Sequence, residues 1–334
     1  MRIDLKSVAG EPSHFLLSCF FLTVLIVILN LGFTPLSAQD TGSGLDFLNI
    51  SPSATLLGIS EAQTAVPSGA SSIYSNPALL ALEQQSALDL HYTLWIAEVD
   101  NQFAAIHLRK NNRSIGFGVY SSRSDGYDAR NQPGPSKGSY SIGYLSVAAA
   151  YAHRMGPVTI GVTGQYLREE VFQYRANGFA VNMGAAGQFL SRRLTAGVTV
   201  MNLGKMEDLN QEATRLPAVF RSGLSIHLVR LNAPGFEDLP VLISVHTDWM
   251  KPLEDSSSSD FINSEPRESF FNFGLTADFS EILELKAGYK AGPTERPLSF
   301  GAGLNMDPVR FNYAIVPFST GFGTVHSVGL QYYF

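Results

Sequence analysis

The chain has 334 residues, of which 45% are hydrophobic and 16% charged, with a formal net charge of -6. That balance excludes a disordered chain, and without a basic stripe interleaved with aromatics it excludes nucleic acid as a partner. With 30 glycines and 11% aromatic residues, the composition belongs to a protein built of many strands.

Residues 15–33, FLLSCFFLTVLIVILNLGF, follow Arg2 and Lys6 and precede PLSAQD. This is the layout of a secretory signal peptide, with Leu36 and Ala38 in the -3 and -1 places. Asp4 and Glu11 lengthen and acidify the n-region, and about 18 apolar residues also suffice for a retained anchor. The small-residue exit favours cleavage after Ala38. Cys19, the only cysteine, lies inside the apolar run, which argues against a lipoprotein site. Cleavage leaves a mature chain without disulfides or cysteine chemistry. The expected organisation is a signal peptide over 1–38, a plug segment over 39–85 and a barrel over 86–334.

Residues 39–85 are rich in Ser, Ala, Gly and Pro and show no strand alternation. From Ser86 the texture changes to apolar residues at every second position. Candidate strands, 14 in all, fall near 87–94, 102–109, 114–121, 141–155, 158–167, 178–190, 194–202, 218–228, 241–250, 269–279, 282–291, 298–306, 309–316 and 325–334. Every second link is tight: KNNR at 110–113, GP at 156–157, SRR at 191–193, SE at 280–281 and DP at 307–308. The links between are long or polar, as at 123–138, 203–217 and 253–267. The link 229–240 stands in a tight slot yet has about a dozen residues, an irregularity in the pattern. Tight turns at one end, long loops at the other and an even strand count predict a transmembrane β-barrel of the outer-membrane type.

The alternation assigns faces. Val309, Phe311, Tyr313 and Ile315 alternate with Arg310 and Asn312, and Leu283, Leu285, Ala287 and Tyr289 with Glu284, Lys286 and Lys290. Val241, Ile243, Val245 and Trp249 oppose Ser244, His246 and Asp248, and Phe220, Leu224, Ile226 and Leu228 oppose Arg221, Ser225 and His227. Charge facing hydrocarbon costs about 2–4 kcal/mol at the bilayer midplane, so the charged faces belong to the lumen. Arg221, His246, Asp248, Glu284, Lys286 and Arg310 are therefore the expected polar lumen residues, able to pair in ladders that hold the plug. The chain ends SVGLQYYF, with Val328, Leu330, Tyr332 and Phe334 on one face and Ser327, Gly329 and Gln331 on the other. This reads as a closing strand that must pair with the first.

No catalytic constellation stands out. The seven histidines are scattered singly, no zinc spacing, G-x-S-x-G elbow or phosphate loop occurs, and GAGL at 301–304 reads as strand. The best remaining grouping for chemistry is Ser225, His246 and Asp248, whose convergence is a matter of geometry. No metal or cofactor is expected.

Residues 47–83, FLNISPSATLLGISEAQTAVPSGASSIYSNPALLALE, resemble the opening of the PorV/PorQ family of outer-membrane proteins, which are similar to the fatty-acid porin FadL. Phe47, Leu48, Ile50, Ala54, Gly58, Ala62, Ser75, Asn76, Pro77 and Ala78 carry the resemblance. NLGK at 202–205, Leu216-Pro217, LKAGYK at 285–290 and the HSVGLQYYF close extend it over nearly all of the mature chain. The chain departs from the family at Thr55, Ile59 and Leu79, where Arg, Gly and Gly are common. Independently of the family, Asn76 before Pro77 is a natural cap for a short helix beginning at Pro77 and Ala78.

The resemblance implies a non-enzymatic outer-membrane barrel, plugged by the segment carrying Asn76, Pro77 and Ala78. Its last strand, with Leu330, Tyr332 and Phe334, would be read by the barrel-assembly machinery. It further implies a component of type IX secretion that binds or shuttles exported cargo proteins, in the outer membrane of a Gram-negative, Bacteroidota-like bacterium. Outer-membrane lipid and other secretion components are the implied partners. The alternative is a FadL-like channel for hydrophobic small molecules.

Overall fold

Apolar residues at every second position can all face one way only in a strand, and strands exposed to lipid must pair on both edges. The computed structural model describes residues 45–128, 138–210, 212–232, 240–253, 269–319 and 321–334. The expected signal peptide over 1–38 and its cleavage site lie outside the described residues, as does most of the irregular link at 229–240.

The strands are β1 (Ala87–Leu94), β2 (Asp100–Lys110), β3 (Arg113–Asp128), β4 (Ser139–Met155), β5 (Val158–Val171), β6 (Tyr174–Phe189), β7 (Leu194–Met206), β8 (Asp208–Leu209) and β9 (Glu212–Ala213). They continue as β10 (Val219–Asn232), β11 (Pro240–Pro252), β12 (Phe270–Phe279), β13 (Leu283–Ala291), β14 (Leu298–Met306), β15 (Val309–Pro317) and β16 (Thr324–Tyr333). β8 and β9 pair only with each other, and the other 14 form one closed antiparallel barrel with each strand beside its neighbour in sequence. β16 closes the wall against β1, from Tyr333 opposite Ala87 to His326 opposite Leu94. The terminal residue takes part: the Phe334 N–H donates to the Ser86 carbonyl (3.0 Å) and the Ser86 N–H to the Phe334 carbonyl (3.1 Å). Tyr332 and Phe334 are exposed and stack with ring centroids 5.9 Å apart, with Leu330 half-buried on the same face.

The two faces separate as the alternation requires. On β1, Leu88, Leu90, Tyr92 and Leu94 are exposed while Asp89, His91 and Thr93 are buried. The same outward apolar band continues through Phe117, Val147, Ile160, Met183, Leu275, Leu285, Phe300, Phe311 and Val328. This is the surface of a transmembrane barrel of the outer-membrane type.

The loop end departs from the expected spacing. β3 to β6 run 16, 17, 14 and 16 residues, against 9 or 10 for β12 to β16. β5 and β6 consequently meet at Phe172 and Gln173, where the sequence implies a long polar link over 168–177. Above the apolar band both faces of a strand meet water or headgroups, so alternation fades although pairing continues.

The lumen is occupied. Residues 45–85 pass through it as short helical turns at Asp46–Asn49, Ala54–Leu57, Gly69–Tyr74 and Pro77–Ala81. Leu56, Ile59, Ile73, Leu79 and Leu80 are almost wholly buried, each contributing about 1.5–3 kcal/mol by burial.

Candidate functional site

Filling a polar lumen with backbone that is neither sheet nor long helix leaves many N–H and C=O groups to satisfy. The wall supplies the partners. Asp248 on β11 accepts from the backbone N–H of Gln63 (3.2 Å) and Thr64 (3.3 Å) and from the Thr64 hydroxyl (2.8 Å). Arg221 on β10 pairs with Asp248 at 3.2 Å and donates to the Glu61 carbonyl at 2.7 Å. Asn272 donates to the same carbonyl at 3.1 Å.

The Glu61 carboxylate is buried on the plug and pairs with Lys290 and, at 3.2 Å, with Arg296, while accepting from the Ser51 N–H at 3.1 Å. Burial pushes this carboxyl up, but Arg296, Lys290 and Arg221 pull it down further, so it lies below the usual carboxylate range. Ser60 and Glu61 hold φ at 50° and 60°, a conformation that residues with side chains keep only where surroundings impose it. The ionic clamp is that surrounding.

A second clamp is neutral apart from one carboxylate. Asp89 on β1 accepts from the Ser71 N–H and hydroxyl, both at 2.8 Å, and from Gln331 at 3.1 Å, while Gln331 also donates to the Ser68 carbonyl at 3.1 Å. The third anchor is Asn76. Its side-chain oxygen accepts from the Ala78 N–H at 3.1 Å and caps the turn begun by Pro77, and its amide donates to the Thr64 carbonyl at 2.8 Å. Gly184 on β6 makes room, because a Cβ there would lie 2.0 Å from the Asn76 oxygen.

The six polar residues expected in the lumen fall into separate groups. Arg221 and Asp248 hold the plug. Lys286 is buried, pairs with half-buried Glu284 at 2.6 Å and donates to Asn312 at 3.3 Å. Arg310 lies 5.8 Å from the centre of the Tyr333 ring. His246 meets Ser225 at 2.9 Å through Nδ1 and Thr276 at 3.2 Å through Nε2. The Ser225, His246 and Asp248 grouping therefore does not converge, since Asp248 is spent on Arg221 and the plug while a hydroxyl stands on the far side of the imidazole. Among the described residues no three potential metal ligands come together.

Sequence reasoning passed over Glu61 and Asp89. Asp89 was recoverable as the one charge on the lumen parity of β1. Glu61 gives no such signal, because its stretch has no alternation.

Beside the clamps the lumen is apolar and aromatic. Phe47 of the plug lies 5.1 Å from Tyr120 and 5.5 Å from Tyr144, ring centre to ring centre, and Phe103 lies 5.6 Å from Tyr74. Leu167, Met206 and Leu48 belong to the same cluster, which continues through Ile73 and Leu80, with Leu209 and Leu216 from the loop after β7 packed against it.

A closed 14-strand wall around a buried N-terminal plug defines a transmembrane β-barrel of the outer-membrane type. Solved barrels share the fold. The chain is similar to the CymD monoaromatic hydrocarbon channel (TM-score 0.55, 13% identity, covering 88% of this chain and 99% of that one). It is also similar to the Pseudomonas putida toluene transporter TodX (0.55, 12%, 84% and 97%) and the Ralstonia pickettii toluene transporter TbuX (0.51, 12%, 83% and 98%). No family model and no curated protein sequence matches the chain.

Proposed function

We propose that the protein is a non-enzymatic outer-membrane channel for small hydrophobic molecules, gated by the 45–85 segment. The observation that carries this reading is the buried aromatic cluster of Phe47, Tyr74, Phe103 and Tyr120, with Leu209 and Leu216 packed against it. An apolar solute gains by entering such a cluster, and a few polar groups around it set orientation. The hydrocarbon channels of the same fold support the reading, which reverses the order of the two functions that the sequence implied. The proposed location is the outer membrane of a Gram-negative bacterium, reached after removal of the signal peptide. Toluene uptake into proteoliposomes tests it: uptake should exceed that of liposomes carrying an unrelated plugged barrel, and equal rates would end the proposal.

A role in type IX secretion, with exported cargo bound at the loops, is the second reading. It rests on the PorV/PorQ-like motifs and on exposed Phe172 and Phe322 at the loop end. Exported proteins sharing a C-terminal domain should then co-purify with the detergent-solubilised barrel; a barrel that arrives alone removes this reading.

A further inference from the structure

The lumen side of β2 and β3 carries polar atoms that nothing in the wall or plug uses. Asn101 on β2 is 3% exposed, and neither its amide nitrogen nor its amide oxygen has a hydrogen-bond partner among the described residues. The Tyr120 hydroxyl on β3, in a residue 1% exposed, is also unpartnered. Register places these side chains together: Phe103 stands opposite Tyr120, and Asn101, two residues before Phe103 on the same face, stands opposite Ser122. On its other side Asn101 faces Thr93, whose hydroxyl is engaged with Ser327 at 2.6 Å.

A buried primary amide with both ends unsatisfied is unfavourable, and native proteins rarely keep one without a use. Here it borders rings: Phe103 next to it on β2, and Tyr120 with the plug's Phe47 5.1 Å away. A molecule that satisfies both features carries an apolar, ring-sized body and one hydroxyl. A hydroxyl both donates and accepts, so a single group can serve the amide and the phenol. A carboxylate fits worse. Lys290 and Arg296, cations at the same end of the lumen, are committed to Glu61, so a buried anion would find no free partner in them.

We propose that Asn101 and Tyr120 form a specificity site that favours neutral hydroxyl-bearing hydrophobic molecules, such as phenols, over plain hydrocarbons. The occupant takes the position of the Phe47 ring against Tyr120 and hydrogen-bonds to both side chains. This rests on the channel reading and narrows its substrate class.

The test compares p-cresol with toluene, which differ by one hydroxyl, in proteoliposomes containing the full-length barrel. Asn101→Leu should lower p-cresol uptake about tenfold, the worth of one hydrogen bond, and leave toluene uptake within about twofold. Tyr120→Phe keeps the ring and removes only the hydroxyl, so it serves if Asn101→Leu does not reach the heat-modifiable folded form. An unchanged ratio of the two solutes in both variants would overturn the proposal and leave the channel reading standing. A wild-type barrel that passes neither solute would overturn both.

Discussion

Asp248 carries more of the contact between wall and plug than any other expected site residue, because one carboxylate serves Arg221, two backbone N–H groups and the Thr64 hydroxyl. Removing one member of a buried pair leaves the other charge without compensation, so Asp248→Ala should destabilise the protein by about 3–5 kcal/mol. The exposed pair Arg123–Asp125 is the control, with side chains 63% and 62% exposed; Asp125→Ala should change stability by less than about 1 kcal/mol. Denaturant titration in detergent measures both, and equal effects would mean that the clamp contributes nothing special. Glu61 adds a pH signature. Its pKa is depressed in the folded state, so its contribution is complete above the ordinary carboxylate pKa of about 4.3 and is lost only as pH falls below that. Glu61→Gln should therefore be less stable than wild type at pH 7, with the gap narrowing only below about pH 4. A gap that closes between pH 7 and pH 5 would contradict the ionic clamp.

At the level of elements, the wall strands are shaped to admit the plug. Gly288 on β13 shows this: a Cβ there would lie 2.3 Å from the Ser60 nitrogen and 2.4 Å from the Ile59 carbonyl carbon, both backbone atoms with no freedom to turn aside. Gly288→Val should unseat the turn at 58–61 while leaving the β12–β13–β14 pairing intact. Single-channel conductance in a planar bilayer should rise above wild type with the heat-modifiable band retained; an unchanged conductance would show that the lumen stays sealed by other contacts. The strands themselves were legible in the sequence because a lipid-facing wall enforces period two, as in Leu88, Leu90, Tyr92 and Leu94. That constraint ends where lipid ends, which is why the sequence leaves 168–177 as a link although Arg168 to Val171 and Tyr174 to Asn177 are paired strand. Arg221 and Asp248 were likewise visible as lumen charges, whereas their real partners at 61–64 were not. The plug takes its conformation from the wall, so its own sequence carries no period to read.

For the whole molecule, the decisive question is whether solute passes a plug that stays seated or one that shifts. The polar clamps fix residues 61–64 and 71 to the wall, while Phe47 and Leu48 meet it through apolar contact alone in the cluster under the loops. Apolar contact is non-directional and gives way to an apolar solute more readily than buried ion pairs do. Entry at the Phe47 position thus displaces apolar contacts alone, whereas a shift of the plug as a whole must also break the clamped region. Ser60 and Ser299 offer a lock across that region, since their hydroxyls lie 2.8 Å apart between plug and β14. The double variant Ser60→Cys/Ser299→Cys should form a disulfide on oxidation. Oxidised protein should still bind toluene, as read by radiolabelled toluene retained on the purified barrel, yet lose uptake into proteoliposomes, with uptake restored by dithiothreitol. Full uptake in the oxidised state would place the path beside a stationary plug, and binding and uptake would then share the compartment around Phe47 and its neighbours as their only control point.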